Sequence, residues 1–339
     1  MTVALHELSR TAKAAWYGVP DAAVRAYVVS TPESREVINR PEIVGCAYTN
    51  LLQRAMTSAL ATAPFRDEIV AVEEHQVCVL HFLRGGLNFG LREALHDALH
   101  LVRHGSAFLS SQRKRGEGGC WRVEEDQYRK IDVPEGAVLL VGDVVATGAT
   151  LEHGFRTIAT QLRTVGGSMQ RLLVFTIGCE RAEAVLAEND RRLRQSFPGF
   201  EGTTVVYVEG RFTLAEERTP LRIHVPGTDL VRLDALLAPE LVASQAEDPA
   251  FALERCAVYD AGSRAFDVPA YVDDVLGYWQ GVAALAARGF TLAEALAERR
   301  PDAPIPDDAD AAALARLCER RIATLSAFDV EHDTLAVAP

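Results

Sequence analysis

Residues Val138 to Thr150 read V-L-L-V-G-D-V-V-A-T-G-A-T. An apolar run ends in one acid, Asp143, and turns through Val145, Ala146, Thr147, Gly148, Ala149 and Thr150 into a segment with helical spacing. Small side chains let backbone N–H groups converge, the two threonines add hydroxyl donors, and a helix N-terminus favours negative charge. The pattern suits a phosphate cradle, with Asp143 placed just before it to accept hydrogen bonds from sugar hydroxyls. The chain has no G-x-x-x-x-G-K-[ST] run and no G-x-G-x-x-G after a strand, which sets aside a P-loop NTPase and a dinucleotide fold. The plainer alternative is a strand–turn–helix joint whose Thr and Gly serve only the turn and the cap.

Two further segments carry chemistry. Val77 to Leu83 reads as a buried strand ending in Arg84-Gly85-Gly86-Leu87-Asn88-Phe89-Gly90, followed by a helix-like stretch from Leu91 to Leu101. A guanidinium beside two glycines suits a pyrophosphate, because Arg binds phosphate oxygens in pairs and glycine lets the backbone approach. Ser106 to Gln112 reads as another strand, leading into Arg113-Lys114-Arg115-Gly116-Glu117-Gly118-Gly119-Cys120 and then Tyr128-Arg129-Lys130. A basic, glycine-rich loop of this kind is expected to be exposed and mobile. Taken singly, the first is also a glycine-rich turn with a solvated Arg, and the second a charged hairpin tip.

In this order the three segments resemble the type I phosphoribosyltransferases, and L-R-G-G-L-N-F-G is similar to the pyrophosphate loop of the uracil phosphoribosyltransferases, L-R-A-G-L-G-F. The resemblance implies phosphoribosyl diphosphate (PRPP) as donor. Val145 to Thr150 would hold its 5-phosphate and Asp143 the ribose hydroxyls. Arg84, Gly85 and Gly86, with Arg113 and Lys130 from the mobile loop, would hold pyrophosphate; Asp143, Arg84 and Arg113 are the catalytic candidates. Mg²⁺ would be held mainly by substrate and water rather than by a protein cluster. The protein would position the donor and stabilise the leaving pyrophosphate without a covalent nucleophile. Most of that family carries two adjacent acids at the end of the donor-loop strand. Here the first position is Gly142 and only Asp143 remains. The uracil enzymes keep a single acid too, but at the first position with proline second. Their late base-binding loop, roughly V-P-G-x-G-D-x-G-D-R, has two partial echoes: Ile223 to Asp229 and Tyr259 to Arg264. Asp229 and Asp260 are the acceptor-binding candidates.

The elements that must position these loops alternate. Leu151, Phe155, Ile158, Leu162 and Val165 recur at helical spacing, and should pack on a sheet. Leu172 to Ile177 and Thr203 to Val208 read as strands around a charged helix, Arg181 to Arg194. The expected fold is α/β: a type I phosphoribosyltransferase-like parallel sheet with helices on both faces, ligands binding at the carboxyl ends of its strands. Residues 66–235 form this core. Residues 1–65 read as a mostly helical segment, with Asn50 to Ala63 as one candidate helix. Residues 236–339 read as a helical extension: an apolar face on Val272, Val275, Leu276, Trp279, Val282, Ala283 and Ala286, a stop at Gly289, a capping box at Thr291–Glu294, and a third helix over about Asp308 to Phe328. That layer is expected to pack as core, with an acceptor lid or a subunit interface as alternatives.

A chain of 339 residues, 48% hydrophobic, can bury a sizeable core. No apolar run is long enough to span a bilayer, and the N-terminus lacks a signal-peptide pattern, so a cytoplasmic protein without membrane contact is expected. Six cysteines without a C-x-x-C pair point to reduced thiols rather than disulfides or zinc. A net charge of -12 argues against nucleic acid as a partner; a homodimer or higher homo-oligomer is expected. The acceptor reads first as a uracil-like nucleobase. The alternatives are a non-nucleobase acceptor (an amine, alcohol or aminosugar) and a PRPP-sensing regulator that has lost catalysis.

Overall fold

The computed structural model describes residues 4–83, 85–115, 121–259 and 267–336, with the backbone alone for 111–115, 121–127 and 328–336. Ten strands form one sheet: β1 (His6–Arg10), β2 (Ala15–Gly18), β3 (Arg25–Ser30), β4 (Val77–Leu83), β5 (Gly105–Arg115), β6 (Trp121–Lys130), β7 (Ala137–Val145), β8 (Met169–Cys179), β9 (Gly202–Leu214) and β10 (Leu230–Leu237). The spatial order is β1-β2-β3-β9-β8-β7-β4-β5-β6, with β10 also on β9. The run from β3 to β5 is parallel. β1, β2, β6 and β10 are added antiparallel.

The helices are α1 (Pro32–Asn39), α2 (Gly45–Thr62), α3 (Arg66–Val70), α4 (Leu91–Leu99), α5 (Ala149–Val165), α6 (Glu180–Ser196), α7 (Pro239–Glu247), α8 (Pro249–Leu253), α9 (Val268–Ala286), α10 (Leu292–Arg299) and α11 (Ala311–Ala336). The α/β class read from the sequence holds, with a central sheet flanked by helices. The chain steps outward from β4 through α4 to β5, then returns to the other side of β4 and steps through β7, α5, β8, α6 and β9. Right-handed crossovers in opposite directions put α4 and the α5–α6 pair on opposite faces. The step reverses between β4 and β7, and such a switch point at the carboxyl ends of the strands is where α/β sheets commonly bind ligands. Both glycine-rich loops leave from those two strands.

Periodicity predicts α5 well: Leu151, Phe155, Ile158 and Leu162 are buried. Val165 is a correction. It is 64% exposed, because the helix ends on it and Gly166 caps it in a left-handed conformation. The N-terminal segment is also corrected. Its first thirty residues contribute three strands, and only α1 and α2 are helical. The Tyr27-Val28-Val29 run suits a pleated surface better than a helix, and β3 pairs with β9 in the middle of the sheet.

The C-terminal helices are welded to the core. Val272, Val275, Trp279, Val282 and Ala286 of α9 are buried, Gly289 takes a left-handed turn at φ +94°, and the Thr291–Glu294 capping box forms. Beneath them lies a buried ionic network. Arg321 of α11 reaches Glu42 at 2.9 Å and Glu254 at 3.2 Å. Glu254 also accepts from Tyr259 Oη and Trp279 Nε1. Arg232 on β10 donates to the carbonyls of Ile38 and Glu254. No helix among the described residues is long and apolar enough to cross a membrane.

Candidate functional site

Val138 to Val141 are fully buried between β4 and β8, and the strand emerges at Asp143, which is half-buried. The Val144 N–H donates to Asp143 Oδ1 at 2.9 Å. The turn that follows reaches the N-terminus of α5 at Gly148, whose φ of +79° is open to glycine and strained for other residues. A Cβ there would also come within 2.9 Å of Val185 Cγ2 on α6. No side chain caps α5, so the N–H groups of its first turn have no side-chain acceptor and face a small pocket. Asp143, Val144, Val145, Ala146, Gly148 and Thr150 line it, with Leu151. Beside it, Thr147 Oγ1 is buried without a hydrogen-bond partner. A buried hydroxyl in that state is costly unless a ligand or a water completes it. The Cys179 thiol donates to the Ala146 carbonyl at 3.2 Å and tethers the turn to the end of β8. An uncapped helix start beside an unpartnered hydroxyl offers donors that an anion would complete.

The second loop meets the first directly. A Cβ on Gly85 would stand 3.1 Å from Asp143 Oδ1, and one on Gly86 would stand 3.0 Å from the Gly142 carbonyl. The glycine pair is therefore needed first for packing against β7. Gly142 has a matching explanation. A Cβ at that position would fall 2.5 Å from Phe89 Cγ and 2.6 Å from Phe89 Cβ. Phe89 is fully buried in the Gly85–Phe89 turn, and its ring occupies the space that a first acid would need. His81, on β4, is buried and stacks on Phe108 at a centroid distance of 5.0 Å. Burial pushes its pKa down to about 4, so the imidazole is neutral at ordinary pH.

The remaining candidates are placed less centrally. Arg84 and Asp260 lie outside the described residues. The backbone of Arg113 pairs with Val123 in the β5–β6 hairpin. Lys130 is exposed and pairs with Phe108, which in turn pairs with His81. That level is two residues below the Leu83–Ser110 pair at the end of β4. Asp229 is fully buried; its Oδ2 accepts from the Val225 N–H at 2.8 Å and lies 3.1 Å from Arg255 Nε, while its Oδ1 has no hydrogen-bond partner. Sequence reasoning missed Phe89, His81 and Cys179. Only the strand-end position of Cys179 hinted at a role, and nothing local links Phe89 to Gly142.

Among the described residues, no group of three or more His, Cys, Asp or Glu is arranged to hold a metal ion.

No protein-family model matches the chain, and no curated protein does. Solved structures similar to it include three phosphoribosyltransferases. A hypoxanthine phosphoribosyltransferase from Trypanosoma cruzi, a mutant complexed with the product IMP, is 14% identical over 58% of this chain and 91% of that one, at a TM-score of 0.28. A purine phosphoribosyltransferase from Pyrococcus horikoshii is 14% identical over 48% of this chain and 89% of that one, at a TM-score of 0.25. A hypoxanthine phosphoribosyltransferase from Staphylococcus aureus is 14% identical over 36% of this chain at a TM-score of 0.24, and the chain spans only 62% of its length. Likeness at this level carries no argument, and the functional reading rests on the geometry of the two loops.

Proposed function

We propose that this chain is a Mg²⁺-dependent phosphoribosyltransferase that moves the 5-phosphoribosyl group of PRPP to an acceptor and releases pyrophosphate. The observation that carries the reading is the uncapped start of α5 beside the unpartnered Thr147 hydroxyl, with Asp143 at its mouth and Gly85 against Asp143. Phosphate bound there completes the helix N–H groups and the hydroxyl. Asp143 is then the carboxylate nearest the ribose. Val145 to Thr150 surround the phosphate, and Gly85 and Gly86 bring backbone close to the pyrophosphate. Arg84, Arg113 and Lys130 supply cations to the leaving group. The metal would take most of its ligands from substrate oxygens and water, with Asp143 the carboxylate that lines the pocket among the described residues. In the reaction an acceptor atom bonds to the anomeric carbon, and the carbon–oxygen bond to pyrophosphate breaks with its electron pair leaving on pyrophosphate. The assembly read for it is a cytoplasmic homodimer or higher homo-oligomer.

A uracil-like nucleobase is the acceptor implied by the loop wording. The second class is a non-nucleobase acceptor, an amine, alcohol or aminosugar; Asp229 Oδ2 is engaged by Arg255 and the Val225 N–H and its Oδ1 has no partner, which fits either class. Calorimetric titration of PRPP with Mg²⁺ into the full chain and into Asp143→Ala tests the donor assignment. Binding that weakens at least tenfold in the variant is expected. Equal binding by both proteins removes Asp143 from the site, and no binding by either refutes the assignment. Binding without pyrophosphate release from any acceptor would mark a PRPP sensor.

A further inference from the structure

The end of β8 is shaped to the carbonyl side of the turn between β7 and α5. Cys179 Sγ lies 3.2 Å from the Ala146 carbonyl oxygen and 3.7 Å from that of Val145. One residue earlier, a Cβ on Gly178 would stand 3.2 Å from the Val145 oxygen, so glycine lets the strand end close on it. Burial pushes the Cys179 thiol up, so it keeps its proton at neutral pH and acts as a donor. A second contact pins the far end of the turn. Gly148 sits against α6, where a Cβ would meet Val185 Cγ2 at 2.9 Å and the Arg181 carbonyl at 3.8 Å. Cys179 is the N-cap residue of α6, so both contacts belong to one strand–helix joint.

Thr147 is the residue between these two contacts. In a trans peptide the carbonyl and the following N–H point to opposite sides. With the Ala146 carbonyl held at Cys179, the Thr147 N–H is directed away from β8. Among the described residues no acceptor meets that N–H, and the Thr147 hydroxyl is buried without a partner. Two unmet donors on one residue call for an anion. Turning this peptide over would reverse the sign of the site, because a carbonyl oxygen would face the anion and the N–H would be lost to it. Among the described residues, the Cys179 thiol is the donor that reaches the Ala146 carbonyl and holds the peptide against that rotation.

We infer that Cys179 is a positioning residue for the donor's 5-phosphate: its thiol fixes the Ala146–Thr147 peptide with the carbonyl toward β8 and the N–H toward the phosphate. The inference rests on the phosphoribosyltransferase reading and adds to that site a residue from outside the turn. The thiol touches neither substrate nor metal. It readies the turn before the ligand arrives, which spares binding the cost of ordering it. Its effect is confined to the 5-phosphate end, because Gly85 and Gly86 pack on Asp143 and the Gly142 carbonyl rather than on Ala146.

Calorimetry on the full chain with Mg²⁺, using PRPP and pyrophosphate as separate probes, tells the two ends of the site apart. Cys179→Ala should weaken PRPP binding at least tenfold and leave pyrophosphate binding within twofold, which also shows that the variant is folded. Cys179→Ser restores an O–H donor and should bring PRPP affinity back to within threefold of wild type. A purely structural role for the side chain gives another pattern, with equal losses for both probes and no advantage of serine over alanine. Unchanged PRPP binding in Cys179→Ala, equal weakening of both probes, or a serine variant no better than alanine overturns the role of Cys179 and leaves the donor reading standing. Failure of the wild type to bind PRPP overturns the donor reading, and the role of Cys179 with it.

Discussion

Replacing Gly142 by alanine isolates the contact between the two loops. Gly142 is buried and its φ is not in the left-handed region, so the backbone accepts alanine. By itself the loss of unfolded-state freedom would stabilise the protein by roughly 0.4–1 kcal/mol. Packing opposes this. The new methyl would lie 2.5 Å from Phe89 Cγ, 2.6 Å from its Cβ and 3.0 Å from its Cδ1, about 1 Å short of ordinary carbon contact. The clashing atoms are the root of a fully buried ring rather than a flexible tip, so the turn itself must move. Overpacking of this kind costs about 1–3 kcal/mol, which exceeds the entropic gain. The expected net loss is roughly 1–2 kcal/mol, read from urea unfolding monitored by tryptophan fluorescence.

The Phe89→Ala background makes the reasoning refutable. That change alone should cost about 3–5 kcal/mol, but it clears the space, so Gly142→Ala on top of it should be neutral or slightly stabilising. The two changes should therefore be less than additive by at least about 1 kcal/mol. PRPP affinity should fall in Gly142→Ala as well, because Gly85 and Gly86 ride on the same turn. A Gly142→Ala cost below about 0.5 kcal/mol, or the same cost in both backgrounds, would refute the contact. Gly142→Asp should be worse than alanine, since it adds a buried carboxylate beside a ring. Restoring the common pair of acids is thus expected to disrupt the site unless Phe89 is removed first.

Thr147→Val should leave stability within about 0.5 kcal/mol, because the hydroxyl has no partner to lose, while PRPP affinity drops roughly 10- to 100-fold by calorimetry. Glu209 is fully buried, accepts from the Thr31 N–H at 2.9 Å and from the Ser34 hydroxyl, and is pushed up to about 7, chiefly by desolvation. Its folded pKa thus exceeds the ordinary value of 4.5, so its contribution is fully present below pH 4.5 and is lost as pH rises through 7. Comparing unfolding free energies at pH 5 and pH 8, Glu209→Gln should gain on wild type by roughly 2–3 kcal/mol, and a pH-independent difference would refute this. Arg321→Met should cost about 3–5 kcal/mol in urea unfolding by stranding Glu254, whereas a loss below about 1 kcal/mol would mean the ionic network is not what fastens α11.

The parts of the fold that could be read in the sequence were those set by local spacing. The α5 periodicity, the α9 face, the Thr291 capping box and the order of strand, loop and helix all depend on residues within about two turns of each other. The short antiparallel strands β1 and β2 could not be read in this way, since runs of five and four residues are formed by their pairing rather than by any pattern of their own. Val165 matched the helical period yet faced solvent, because spacing does not tell where a helix stops. The site divides along the same line. The turn from Asp143 to Thr150 is one continuous segment, so its strand–turn–helix form was legible. Asp229 belonged to a partial motif, but its ion-pair partner, Arg255, stands 26 residues later.

Gly142, Gly85, Gly86 and Phe89 are best understood together. A conventional pair of acids at the end of β7 would need space above the strand. Here the Gly85–Phe89 turn occupies that space, with Phe89 over Gly142, Gly86 over the Gly142 carbonyl and Gly85 against Asp143. Glycine at position 142 and the tight packing of the turn are therefore two sides of one arrangement. It has a mechanical consequence: a turn seated on three close contacts with β7 cannot shift without moving the strand end that carries Asp143. A ligand ordering one loop must then order the other. Donor phosphate and pyrophosphate contacts should weaken together in any variant that loosens Phe89, even one that touches neither group.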